Sequence, residues 1–290
     1  MTIEERLPEP ANPLGMDGIE FVEYATSKPQ EFGGLLQKLG FAAVARHRSR
    51  EVMLYRQGSM NLVVNSHSAT SEVPAVSAVA LRVRDAAFAH KHCLDLGAWD
   101  MPTRAAAMEL NIPGIHGVGD ALLYFVDRYA DFSIYDVDFV PLAGAEPRPA
   151  AVAGLHWFGV VQAVLNDRTQ DWIGFYGNLF GFSVLPEGRY FGVLPKGTLL
   201  ESPCRKFYLQ LIEPPPGADE VRWDEELIRV GLGAPDVPAA TRALVKRGIV
   251  FIDHGAVQPS DKGALTQVYM GGVTFELVVS HLDPHTGAHA

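Results

Sequence analysis

Four times along its 290 residues the chain repeats one local order: an apolar run, a helix-like stretch, a glycine, then further apolar runs. The glycines fall in Leu39-Gly40-Phe41, Leu96-Gly97-Ala98, Phe180-Gly181-Phe182 and Arg247-Gly248-Ile249. Glycine takes the left-handed conformation that stops a helix, and the residue after it begins an extended run. Ahead of each stop lies a strand candidate rich in Val, Leu, Ile and Phe, at 19–24, 76–83, 155–165 and 227–232. Behind each stop, further strand candidates end in 60–64, 133–140, 206–213 and 273–279. A fixed order recurring roughly every 55 to 85 residues describes duplicated modules rather than a solenoid. The unit is βαβββ, and it occurs four times.

Between 141 and 153 the chain reads PLAGAEPRPAAVA, with three prolines and few bulky apolar residues, so it cannot form an element interior. That stretch separates two halves, each holding two modules. The expected organisation is an extended segment over 1–17, a two-module domain over 18–140, the linker 141–153, a second two-module domain over 154–280 and a flexible tail over 281–290. The fold class is α+β, with each half an open barrel of curved mixed sheets and helices outside.

Composition narrows the partners. A net charge of -10 with scattered Lys and Arg gives no basic field for nucleic acid or anionic lipid, and no apolar run is long enough to span a bilayer. Two cysteines, Cys93 and Cys204, make neither a disulfide framework nor a thiolate metal site. The first 17 residues carry charges and prolines in place of an apolar signal region, so a cytoplasmic location is expected.

Beyond this point the sequence resembles a known family. GIEFVEYA at 18–25, HRSREVMLYRQGSMNLVVN at 47–65, MELNIPGIHGVG at 108–119, LLYFVDRY at 122–129 and SIYDVDFV at 133–140 are similar to the bacterial 4-hydroxyphenylpyruvate dioxygenases of the vicinal-oxygen-chelate superfamily. In that family this half is structural. The second half resembles the family's catalytic half more thinly, through FYGNLFGF at 175–182, GRYFGVLPKG at 188–197, SDKGALTQVY at 260–269 and VTFELV at 273–278.

The resemblance implies a site for Fe(II) held by two histidines and a glutamate, open to an α-keto acid and O₂. The glutamate is matched by Glu276. Alignment puts Val160 and Arg229 at the two histidine positions, and neither side chain coordinates a metal. A family asparagine falls at Ile212, Gln267 matches a family glutamine, and the chain ends 14 residues after Glu276, where the family continues into a helix. No cofactor is therefore expected.

If Arg229 and Glu276 converge as the family's ligands do, the guanidinium replaces the metal's charge and offers an edge to an acidic ligand. Strand parity adds Phe158 and Gln162 with Val160, Tyr208 and Gln210 with Ile212, and Gln267 with Leu265 and Tyr269 as cavity candidates. His156, the pair His90 and His92, Asp253 with His254, and the tail residues His281, His285 and His289 are not expected to complete a metal site. The equivalent positions in the first half fall near Tyr24, Ala78 and Asp136. Three readings stay open: a relative that binds or turns over a small aromatic or keto acid without metal, a metal enzyme with relocated ligands, and a structural module whose sheet edges pair copies of the chain.

Overall fold

The computed structural model of the chain describes residues 12–67, 69, 71–102, 109–186, 192–194, 197–215 and 223–280. The tail histidines His281, His285 and His289 and part of the GRYFGVLPKG motif lie outside these residues.

The first half begins with β1 (Ile19–Ala25), α1 (Pro29–Lys38), β2 (Ala42–His47), β3 (Val52–Gln57) and β4 (Met60–Asn65). It continues with β5 (Ala75–Arg82), α2 (Ala86–Asp95), β6 (Gly114–His116), β7 (Leu122–Val126), α3 (Ile134–Asp138) and β8 (Phe139–Pro141). These strands form one sheet in the order β6-β7-β5-β1-β4-β3-β2-β8. The stretch 133–140, expected as strand, starts instead as a helical turn, because Ser133 and Asp136 cap each other's backbone N–H groups.

In the second half come β9 (His156–Ala163), α4 (Thr169–Phe180), β10 (Ser183–Val184), β11 (Thr198–Glu201) and β12 (Tyr208–Ile212). Then follow β13 (Glu226–Ala234), α5 (Val237–Lys246), β14 (Gly263–Leu265) and β15 (Phe275–Val279). Their order is β10-β11-β12-β9-β13-β15-β14, and Phe251 joins through an isolated bridge to Thr266. Each half is thus a mixed sheet whose central pair, β1 with β5 or β9 with β13, is antiparallel and flanked by parallel neighbours. All four glycines that end the module helices have positive φ, from 81° at Gly181 to 101° at Gly40.

Side chains paired across strands share a face, so the pairing register sorts each sheet into two faces. One face of each sheet meets its helices and the other half in a continuous core containing Val22, Val79, Leu123, Val160, Val230 and Phe275. The rings of Tyr24 and Phe275 from the two halves lie 6.4 Å apart within it. The other face of the first sheet closes on a second cluster that includes Phe21, Val52, Val63, Ala80 and Phe139. The corresponding face of the second sheet carries Glu276, Arg229, Gln210 and Tyr208, as the register below shows.

Two of the helix-ending glycines separate backbone from packing. Gly97 has φ of 91° and open space around a would-be Cβ, whereas at Gly40, with φ of 101°, that Cβ would stand 2.5 Å from Val152 and 2.8 Å from Gln57. Gly97→Ala should cost about 1–2 kcal/mol for the left-handed backbone alone, and Gly40→Ala distinctly more. Urea unfolding of both variants checks the order, and equal losses would contradict the packing at Gly40.

Candidate functional site

The site is set by the register around β9 and β13. Tyr208 pairs with Gly159, Gly159 with Gly231, Gly231 with Glu276, and Glu276 with Leu265, forming one row across β12, β9, β13, β15 and β14. The adjacent row on the same face holds Gln210, Val161 and Arg229. A bulge between the Gly231 and Leu232 pairs gives β9 one residue more than its partner. The Phe158 ring therefore lies over Gly231, 3.2 Å from a would-be Cβ there, and its centroid is 5.0 Å from that of Tyr208.

Glu276 is buried, and its Oε1 accepts the Val193 N–H at 3.3 Å. Arg229 is partly buried, and its Nε has no hydrogen-bond partner among the described residues. Burial pushes the guanidinium below its ordinary range, and the Glu276 charge offsets part of that push. The two groups sense each other's charge, yet no ion pair within 4.0 Å joins them among the described residues. The expected direct pair is thus loosened into an electrostatic coupling, with one edge of the arginine unsatisfied.

Several expected positions move. Val160 faces the helix-side core, because the row containing Glu276 meets β9 at Gly159, one residue away. A one-residue shift along a strand exchanges its faces. Gln162 also lies on the helix side, where its Oε1 accepts the Tyr176 hydroxyl of α4 at 2.7 Å. Gln267 is exposed, since β14 ends at Leu265 and the Gln267 N–H turns outward to the Val250 carbonyl at 3.0 Å. Phe158, Tyr208, Gln210, Arg229 and Glu276 share the face as expected. In the first half Tyr24 lies in the main core and Asp136 caps α3, off the row equivalent to that of Glu276; the register of β5 with β7 puts Tyr124 in that row, opposite Ala80.

His156 lies at the start of β9, where it pairs with Gly233 and both its ring nitrogens are engaged. Its Nδ1 is 3.0 Å from the Gly154 carbonyl and its Nε2 is 3.0 Å from the Ser280 hydroxyl. A neutral ring that donates from Nδ1 and accepts at Nε2 satisfies both contacts. Asp253 and His254 are exposed, His90 pairs with Asp100, and His92 stacks on Phe88, so these histidines turn away from one another.

An Fe(II) facial triad needs two imidazoles beside the carboxylate. Here the same face offers Gly231, Gly159 and Leu265 in the row of Glu276, with the fixed cation Arg229 in the next. A side chain at Gly159 is excluded, since its Cβ would stand 1.9 Å from the Tyr208 carbonyl oxygen. No group of three or more His, Cys, Asp and Glu suited to a metal occurs among the described residues. This donor set does not fit the triad.

The two curved mixed sheets, built from repeated βαβββ units, define a two-domain vicinal-oxygen-chelate protein. A family model described as the N-terminal domain of hydroxyphenylpyruvate dioxygenase matches residues 11–140. Hemolysin VllY of Vibrio vulnificus (strain CMCP6) is 39% identical over 267 residues, covering 83% of this chain and 73% of the relative. The 4-hydroxyphenylpyruvate dioxygenase of Pseudomonas aeruginosa is 34% identical over 269 residues, covering 84% and 73% of the two chains. A mutant of 4-hydroxymandelate synthase from Streptomyces coelicolor shares the fold with a TM-score of 0.72 at 16% identity, over 92% of this chain and 93% of that one. The chain belongs to the 4-hydroxyphenylpyruvate dioxygenase family. No helix among the described residues is long and apolar enough to cross a membrane.

His156 gives the site a measurable pH signature. Burial lowers its pKa below the ordinary 6.5, against the smaller upward pull of the Gly154 carbonyl. The folded state therefore prefers the neutral ring, so the contribution is complete above about 6.5 and is lost as pH falls through the folded value. Melting temperatures taken from pH 8 to 5 should fall less steeply for His156→Gln than for the parent. Identical slopes would contradict this assignment.

Proposed function

We propose that this chain binds a small aromatic or keto acid without a metal, on the concave face of its second sheet, with Arg229 receiving the acid's carboxylate. The observation that carries the reading is the Arg229 guanidinium, desolvated, coupled to Glu276 at a distance, and with its Nε unsatisfied. A buried donor without a partner is costly, and a carboxylate supplies the geometry that a guanidinium best accepts. The Phe158 and Tyr208 rings supply an aromatic wall, and the Gln210 amide adds polarity on the same face. Glu276 limits how much negative charge the site tolerates, which favours a single carboxylate over a diacid.

The proposed ligand matches the acid class of the family's substrate, while the proposed chemistry departs from it. Val161, Gly159 and Arg229 leave no route to a two-histidine iron centre on this face, so no oxygen-activating step is assigned to these residues.

Thermal melts in EDTA with phenylpyruvate, 4-hydroxyphenylpyruvate and phenylacetate test the proposal. A ligand at about 100 times its Kd adds roughly 2.7 kcal/mol, which for a chain of this size raises Tm by several degrees. Arg229→Lys should keep part of the shift and Arg229→Met none, each shift read against the variant's own ligand-free melt, because removing the cation also takes away the charge coupled to Glu276. No shift with any of the acids, or an undiminished shift in Arg229→Met, would overturn the proposal.

A further inference from the structure

The first half holds a cavity on the corresponding face of its sheet. Asp85 and Asp236 cap α2 and α5 identically, each accepting the N–H three residues on, at Phe88 and Ala239. Counting back from these caps by equal steps, Ala78 corresponds to Arg229 and Ala80 to Gly231. Ala80 pairs with Phe21 and Tyr124, so Tyr124 stands where the second half has Glu276. Ala78 pairs with Glu23, so Glu23 stands where the second half has Val161. The repeat has thus exchanged the charges: a cation lies on this face of the second sheet, and an anion on the equivalent face of the first.

This cavity measures about 240 Å³ and is walled by Phe21, Glu23, Asn65, Tyr124, Tyr135 and Phe139, among others. That is roughly eight water volumes at ~30 Å³ each, enough for one aromatic ring with a short chain. Its charged lining is dominated by carboxylates. Glu109 is ion-paired to Arg50, and Asp138 accepts the Leu110 N–H at 3.0 Å. Glu23, on β1, is partly buried in the sheet wall of the cavity. Its Oε1 accepts the Ser77 hydroxyl at 2.9 Å and the Asn65 amide at 3.2 Å, and its Oε2 makes no hydrogen bond among the described residues.

We propose that this cavity is a binding site for a small organic amine, whose ammonium group pairs with Glu23 Oε2 and whose ring packs against Phe21 and Tyr124. The Phe21 and Tyr124 rings, with centroids 6.0 Å apart, offer π faces that attract a cation. An acid is disfavoured, because Arg50 is already committed to Glu109 and three carboxyl groups line the space. Burial raises the Glu23 pKa, and the Ser77 and Asn65 hydrogen bonds, with a smaller contribution from the Arg50 charge, pull it only part of the way back. An ammonium ion adds the direct partner that the distant Arg50 charge does not provide for that desolvated carboxylate. The Tyr124 hydroxyl is likewise held in its protonated form, by burial first and by the Glu23 charge second, so it remains a donor toward a ligand.

Calorimetric titration of the full chain at pH 7 with phenethylamine, phenethyl alcohol and 3-phenylpropionate tests this. Phenethylamine should bind saturably, at least tenfold more tightly than the alcohol, with no binding by the acid in Arg229→Met, where the separate acid site is disabled. Glu23→Gln keeps the side-chain shape and removes a buried charge, so it should fold and melt at or above the parent's temperature. It should weaken the amine at least tenfold, while Arg229→Met leaves amine binding unchanged. The amine and alcohol comparison uses the unaltered protein, so it stands whatever the variant's stability. Equal affinity for amine and alcohol, no saturable amine binding at 10 millimolar, or an unchanged affinity in a folded Glu23→Gln would overturn the proposal.

Discussion

The register between β9 and β13 governs what this molecule can do. That antiparallel pair places Gly159 opposite Gly231 and Val161 opposite Arg229, and the parallel neighbour β15 then carries Glu276 into the same row. Backbone pairing allows no adjustment by half a residue, so each side chain is committed to one face. The bulge at Phe158 takes up the extra residue on β9 and turns its ring over the Gly231 face. Charge, aromatic wall and excluded donor positions all follow from that alignment.

Both halves inherit the same scaffold and spend their concave faces differently. In the first, much of that face is filled by an apolar cluster around Phe21, Val52, Val63 and Phe139, and Glu23 is one of three carboxylates that line the remaining space. The second half keeps Arg229, Gln210 and Glu276 on its face and uses the opposite side for core packing through Val160, Val230 and Phe275. The buried group left without a hydrogen bond on this face among the described residues is the Arg229 Nε, and the proposed carboxylate ligand would supply its acceptor.

The sequence announced the module order because it is written in local chemistry. Gly40, Gly97, Gly181 and Gly248 end helices through positive φ, and the apolar runs before them pair as the central strands. Glu276 and Arg229 were legible through their resemblance to family positions, and both lie on one face. What failed were inferences that depend on parity. Strand parity counted from a Gly-Leu start does not register a bulge, so it puts Val160 and Gln162 on a face they do not occupy. Gly159, a glycine inside a strand of larger residues, was the available signal, since such a glycine often marks a bulge or a close backbone approach. Gln267 failed for another reason: its strand ends two residues earlier, and a nonlocal bond to Val250 turns the chain outward. The Ser133–Asp136 cap converted an expected strand into a helical turn through hydrogen bonds that apolar patterning does not report.

The central claim, that Glu276 faces a fixed cation in place of an iron centre, is tested most directly by anaerobic Fe(II) titration against a coloured chelator, with iron counted per chain. The parent protein should hold no stoichiometric, tightly bound iron, and its iron content should not change on Glu276→Ala. One iron per chain that resists the chelator and is lost on Glu276→Ala would contradict it.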